Sequence, residues 1–119
     1  MKVVCKNNKS VFINREHLHY FDLLYNQYCD TEIDYIKYEI LEFSDIEKVY
    51  NYLIRLLQNE DVDIHTSELC SILMTADFLI CEVVVKDIVK KIQNIIKESK
   101  DYVDIQHALN IHYKWDEVE

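Results

Sequence analysis

The sequence predicts an α+β domain: a small three-stranded sheet covered by helices, with a C-terminal helical extension. Three observations carry this. Two short β-rich runs separated by turn residues open the chain, and a third run alternates over residues 35–41. Helix-period stripes then mark the segments that follow. The densest of these, residues 68–96, is the stretch around which the rest is organised.

In chain order, residues 2–6 read as a strand, Asn7, Asn8, Lys9 and Ser10 as a turn, and residues 11–13 as a second strand, so the chain opens with a hairpin. Asn suits that turn because it tolerates positive φ. Asn14 caps a helix whose first turn carries Glu16. Leu18, Phe21, Leu24, Tyr25 and Tyr28 line one side of it. An acidic link, Asp30-Thr31-Glu32, leads to the third strand, over residues 35–41. Ser44 with Glu47 three residues on forms a capping box. It opens a helix striped by Ile46, Val49, Tyr50, Leu53, Ile54 and Leu57.

After a polar link at residues 59–63, Thr66 or Ser67 caps the central helix. Leu69, Ile72, Leu73, Ala76 and Leu79 form its core stripe. Val84, Val85, Ile88, Val89, Ile92, Ile95 and Ile96 form a broader stripe, too broad for one neighbour to cover. Two apolar helices joined within a few residues pack as a hairpin or corner. After a break at residues 97–100, a short helix with Tyr102, Ile105 and Leu109 as its stripe ends at Asn110-Ile111-His112. Residues 115–119 begin another helical turn.

Composition narrows the function classes. A chain of 119 residues, half of them apolar, is one domain with enough core to fold without disulfides or metal. A net charge of −9 argues against nucleic acid and favours partners with basic patches. With no Gly and no Pro, no loop cradles phosphate, and helix ends must use Asn, Ser or Asp in place of Gly. Cys5, Cys29, Cys70 and Cys81 form no CxxC pair and read as free, buried thiols. No run reaches the roughly 20 apolar residues of a membrane span. The first residues turn polar too soon for a signal peptide, which predicts residence in the cytoplasm or nucleus. Abundant Ile, Lys, Asn and Tyr point to AT-rich coding, as in a large DNA virus or an AT-rich protist.

Catalytic signals are missing. His17 and His19, two apart on a helix, point to different faces and make a poor metal pair. His65, His107 and His112 lack matching ligand spacing. There is no GxSxG, no HExxH and no catalytic Cys signature. The expectation is a non-enzymatic protein with no cofactor and no metal.

The run Leu69-Cys70-Ser71-Ile72-Leu73-Met74-Thr75-Ala76-Asp77-Phe78-Leu79 resembles the "LILAANYLDI" helix of BTB/POZ-fold proteins, in particular the Skp family and its relative elongin C. Ile92-Gln93-Asn94-Ile95-Ile96-Lys97 resembles the "VANMIKGK" of Skp proteins, and residues 103–111 resemble "EEIRKTFNI". Elongin C ends near the position of Cys81, whereas this chain continues to Glu119, which favours the Skp family. The resemblance implies a BTB/POZ core over residues 1–81 and an F-box-binding helical extension over residues 82–119. It implies an adaptor of SCF-type cullin–RING ubiquitin ligases that bridges a cullin and F-box substrate receptors. Carried over by motif, Asp77 and Phe78 would face the cullin. Ile92, Ile95, Ile96, Ile105, Leu109 and Ile111 would clasp the F-box.

The chain departs from the family in placing Asp77 where the family has Asn, and in a short loop over residues 30–34. A diverged or viral adaptor acting in a host cell fits these changes. The alternatives are a BTB/POZ protein that forms a homodimer when unpartnered, and a competitive inhibitor of host ligase assembly.

Overall fold

The computed structural model describes residues 1–97. The chain divides into two compact units, Met1–Val85 and Lys86–Glu119, with the boundary inside a helix. The elements are β1 (Lys2–Val4), β2 (Ser10–Phe12), α1 (Arg15–Leu18), α2 (Asp22–Thr31), β3 (Tyr35–Lys37), α3 (Phe43–Leu57), α4 (Thr66–Phe78) and α5 (Glu82–Lys97). This is an α+β fold with a small mixed sheet and, among the described residues, five α-helices. None of those helices is long and apolar enough to cross a membrane.

The sheet order is β2-β1-β3. β1 and β2 form the expected hairpin, with Val3 opposite Val11. Its turn is a single 3-10 turn at Lys6–Asn8, and Asn7 and Asn8 take φ of 63° and 58°. β3 runs parallel to β1, with Ile36 opposite Val3. It stops at Lys37, four residues short of the predicted end. Its partner explains this. Past Val4 the β1 strand leaves the sheet for the 3-10 turn, and the ladder gives way to two separate bonds, Tyr38 N–H to Val4 O at 2.8 Å and Lys6 N–H to Leu41 O at 2.9 Å. The chain then closes a turn, with Leu41 N–H donating to Tyr38 O at 3.1 Å.

The first predicted helix is broken in two. α1 ends at Leu18, and Phe21 is extended, with φ −112° and ψ 90°. The break sends the Phe21 ring into the core, edge-on to Tyr50 at 6.2 Å. It also gives the first amides of α2 tertiary acceptors. Asp22 N–H donates to Ile80 O at 3.2 Å and Leu23 N–H to Leu79 O at 3.4 Å. These contacts satisfy N-terminal donors that a helix cannot pair internally. Leu18 and Leu24 are buried as predicted, Tyr28 is half-buried, and Tyr25 is exposed.

Capping differs from expectation at both later helices. α3 starts at Phe43 with Glu42 as N-cap, so Ser44 lies inside the first turn and forms no capping box. The Glu42 carboxylate instead pairs with Lys6 at 3.1 Å. α4 is capped by His65, not by Thr66 or Ser67. The His65 Nδ1 accepts from Ser67 N–H at 3.2 Å.

The core of the first unit is built on the two stripes the sequence marks. Ile46, Val49, Tyr50 and Leu53 of α3 are buried, together with Tyr52. Ile54 is half-buried and Leu57 exposed, because the stripe runs out at the helix end. All five predicted residues of the central helix, Leu69, Ile72, Leu73, Ala76 and Leu79, are buried. α3 and α4 pack on each other.

α4 ends in a Schellman motif: Cys81 N–H donates to Ala76 O at 2.9 Å and Ile80 N–H to Asp77 O at 3.1 Å. The left-handed residue of that motif is Ile80, with φ 55°. Two more helices are followed by left-handed residues, α3 by Asn59 and α2 by Glu32. Asn59 fits the expectation for a chain without Gly; Ile80 and Glu32 do not.

Of the second unit the structure describes residues 86–97, all in α5. Ile88, Val89 and Ile96 are buried, Ile92 is half-buried and Ile95 is exposed. With Val84 also buried and Val85 half-buried, four of the seven residues of the broad stripe are buried. Lys91 donates to Asp87 at 2.8 Å along one side of the helix. The predicted break at residues 97–100, the helix after it and the final turn at residues 115–119 lie outside the described residues, save Lys97.

Candidate functional site

The core stripe of α4 leaves a second stripe on its other side. Ser71, Met74, Thr75 and Phe78 follow one another at steps of three, one and three residues, which places them on one helix face. Facing them are Ile40, Leu41 and Glu42 of the connection from β3 to α3 and Asp45 of the first turn of α3. Together these residues line an open groove of about 290 Å³.

Each wall is positioned for a local reason. Phe78 is set by Tyr38, whose ring meets it edge-to-face at 5.4 Å and 88°. That geometry puts the positive edge of one ring against the negative face of the other. Burial pushes the Tyr38 phenol above its ordinary pKa. Leu41 is buried and fixes the turn, which throws Ile40 outward. Ile40, Met74 and Phe78 remain 75%, 67% and 38% exposed, so three large apolar side chains crown the groove. Thr75 is the buried polar residue of α4, at 6% exposure, and no side-chain hydrogen bond to its hydroxyl is formed among the described residues.

The electrostatics are one-sided. Glu42 and Asp45 stand at the α3 end of the groove. Glu42 has Lys6 as its partner. Asp45 lies in the first turn of α3, where a carboxylate complements the helix dipole. The Lys48 ammonium senses Asp45 but is bound to Glu68 at 2.8 Å, a bond that raises the Lys48 pKa and lowers that of Glu68.

Of the two residues expected at a cullin face, one lines the groove. Phe78 forms one wall of the groove, and Asp77 beside it is exposed but does not line it. Sequence reading missed Ile40, Met74, Thr75 and Asp45. The signal available was the 71/74/75/78 spacing, a second helical stripe half hidden by the polarity of Ser71 and Thr75. Of the six residues expected to clasp an F-box, three are described. Ile96 is buried, Ile92 half-buried and Ile95 exposed, while Ile105, Leu109 and Ile111 lie outside the described residues.

The candidate histidines among the described residues have structural partners, and His107 and His112 lie outside those residues. His17 Nδ1 is 2.8 Å from the Tyr50 hydroxyl, which also accepts from Asn14 N–H at 3.0 Å. This tie holds α1 against α3. His19 stacks on Tyr20 at 4.1 Å. Among the described residues no group of three or more His, Cys, Asp or Glu side chains is placed to hold a metal. All four cysteines are free thiols, but only Cys5 and Cys81 are buried. Cys29 and Cys70, expected inside, are exposed because they fall on the outer faces of α2 and α4. Burial pushes the Cys81 thiol up to about 11 and also raises Cys5. No family model matches the chain, and no match was found among curated proteins or solved structures.

Proposed function

We propose that this chain is a non-enzymatic adaptor with a BTB/POZ fold, related to the Skp family, that bridges a cullin and an F-box substrate receptor in an SCF-type ubiquitin ligase. The observation that carries the reading is the position of Phe78. An aromatic side chain at the end of the central helix, braced by Tyr38 and partly exposed on an apolar groove, has the character of an interface anchor. The "ADF" run that resembles the family's cullin-facing motif supplies that anchor. The order strand, strand, helix, strand, helix, helix that the resemblance implies matches the observed order once α1 and α2 are counted as one broken helix. An acidic chain with a crown of exposed apolar side chains suits a scaffold that works by docking proteins.

The test is a pair of captures on the full chain, one with a cullin N-terminal domain and one with an F-box protein bound to its receptor domain. The adaptor reading expects both partners in one complex. Phe78→Lys removes the cullin and keeps the F-box protein. A chain ending at Glu98 keeps the cullin and loses the F-box protein. Capture of one partner only identifies a competitive inhibitor. A stable homodimer with neither partner identifies the self-associating alternative.

A further inference from the structure

The groove over α4 has two features that the anchor alone does not explain. The first is a charge without a counter-ion. No Lys, Arg or His among the described residues lies within ion-pair distance of Asp45, since Lys48 is held by Glu68 and Lys6 by Glu42. The second is the Thr75 hydroxyl, nearly buried on the groove lining with no side-chain hydrogen bond among the described residues. An apolar crown, a hydroxyl at its base and a carboxylate at one end define an occupant. It must bring a large apolar side chain, a hydrogen-bonding group and a positive charge.

We infer that the groove lined by Ile40, Met74, Thr75, Phe78 and Asp45 docks a segment of another protein that carries a large apolar side chain with a Lys or Arg within one helical turn of it. The inference rests on the adaptor reading for the class of partner. It adds the sign of the partner's charge and the residues that select it. A cavity of about 290 Å³ admits one large side chain and not a whole helix face, so the contact is an anchor and not a clasp. Charge decides the flanks. The whole chain carries −9, so an acidic segment meets repulsion both at Asp45 and from the molecule at large. The same repulsion disfavours a second copy of this chain as the occupant.

The chain provides its own reporter. It has two methionines, Met74 on the groove and Met1 in the core. In full-length protein labelled with 13C at the Met methyls, Met74 reads the groove and Met1 reports on the fold. The probes are two acetylated amphipathic peptides with a common central Leu, one flanked by Lys and one by Glu. The Lys peptide should shift the Met74 line, leave Met1 unmoved and bind at least about threefold more tightly than the Glu peptide. The preference should shrink at high salt and shrink in Asp45→Asn to the smaller bias that the overall charge alone supplies. Equal binding of the two peptides overturns the inference, as does a preference that Asp45→Asn leaves undiminished or a Met74 line that neither peptide moves. A Met74 line that shifts with protein concentration alone means that a second copy fills the groove, which also overturns it. A cullin N-terminal domain, titrated in the same way, separates the two readings. If it shifts Met74 equally in wild type and Asp45→Asn, the adaptor reading stands and charge selection fails. If it does not bind while the Lys peptide is selected, charge selection stands and the adaptor reading fails.

Discussion

Ile80 should be a position where Gly is better than Ala. It occupies the left-handed residue of the motif that ends α4, with φ 55°. A left-handed conformation costs an L-residue about 1–2 kcal/mol because Cβ crowds the following carbonyl. Ala keeps that Cβ and Gly removes it. Against this, Gly loses about 0.5–1 kcal/mol more than Ala through backbone entropy. Both variants forfeit the same partial burial of the Ile side chain, which is 42% exposed. The difference between them therefore isolates the backbone. Ile80→Gly should be more stable than Ile80→Ala by about 0.5–1 kcal/mol. Asn51 is the control, exposed in the middle of α3. There Asn51→Gly should be less stable than Asn51→Ala by about 1 kcal/mol. Urea unfolding followed by far-UV circular dichroism, with equal denaturant slopes required across the four variants, measures both differences. The same sign at both positions would refute the claim that Ile80 is held left-handed.

Leu73→Ala should cost about 2–5 kcal/mol in the same assay, since Leu73 is buried on the α3-facing stripe. Thr75→Val should leave stability unchanged or raise it by up to about 1 kcal/mol, because a nearly buried hydroxyl without a hydrogen bond among the described residues is replaced by a methyl of the same shape. Asp77→Asn should keep or strengthen cullin capture, and a large loss would show that the acid is matched to a different surface. Thiol titration of the native protein should find Cys29 and Cys70 reactive, with Cys5 and Cys81 released only by denaturant. Stability should also fall with alkali. The Cys81 pKa is about 11 in the fold against an ordinary 9, so the folded state binds the extra proton, and stability present below pH 9 is lost as pH rises toward 11. That loss should be on the order of 2 kcal/mol and absent in Cys81→Ala, as read from melting temperatures across the range.

What the sequence made legible was the part of the fold governed by local periodicity. The stripes of α3 and α4 repeat on one side of each helix for three or more turns, and every one of their central residues is buried. The opening hairpin was legible because Asn7 and Asn8 announce left-handed backbone. The misread boundaries share a cause. β3 ends where its partner strand leaves, and the helix after Asn14 breaks where its amides find Leu79 and Ile80. Glu42 displaces Ser44 at the start of α3, and its side chain goes to Lys6. Each depends on a residue distant in sequence, so no local pattern carries it. The left-handed Ile80 is the extreme instance. Intrinsic preference opposes it, and the turn from α4 to α5 imposes it.

The groove was half legible for a different reason. A hydrophobic pattern reports how much apolar surface a helix has, not which of its stripes the rest of the chain leaves open. On that count the eye goes to α5, whose stripe is the broader, yet most of that stripe is buried. The surface left open is on α4, where Ser71 and Thr75 dilute the apolar signal and where the other half of the lining comes from the β3–α3 connection and the first turn of α3. Ile40 shows the difficulty. By alternation it belongs to a strand; by structure it is the outward residue of a turn and the most exposed apolar side chain of the site. Phe78 was found because it lies in a motif that resembles a known interface. Met74 and Asp45 were not, because only the packing of α4 beside the start of α3 brings them to the same groove. A surface made by two elements is a property of their contact, and either segment read alone carries half of it.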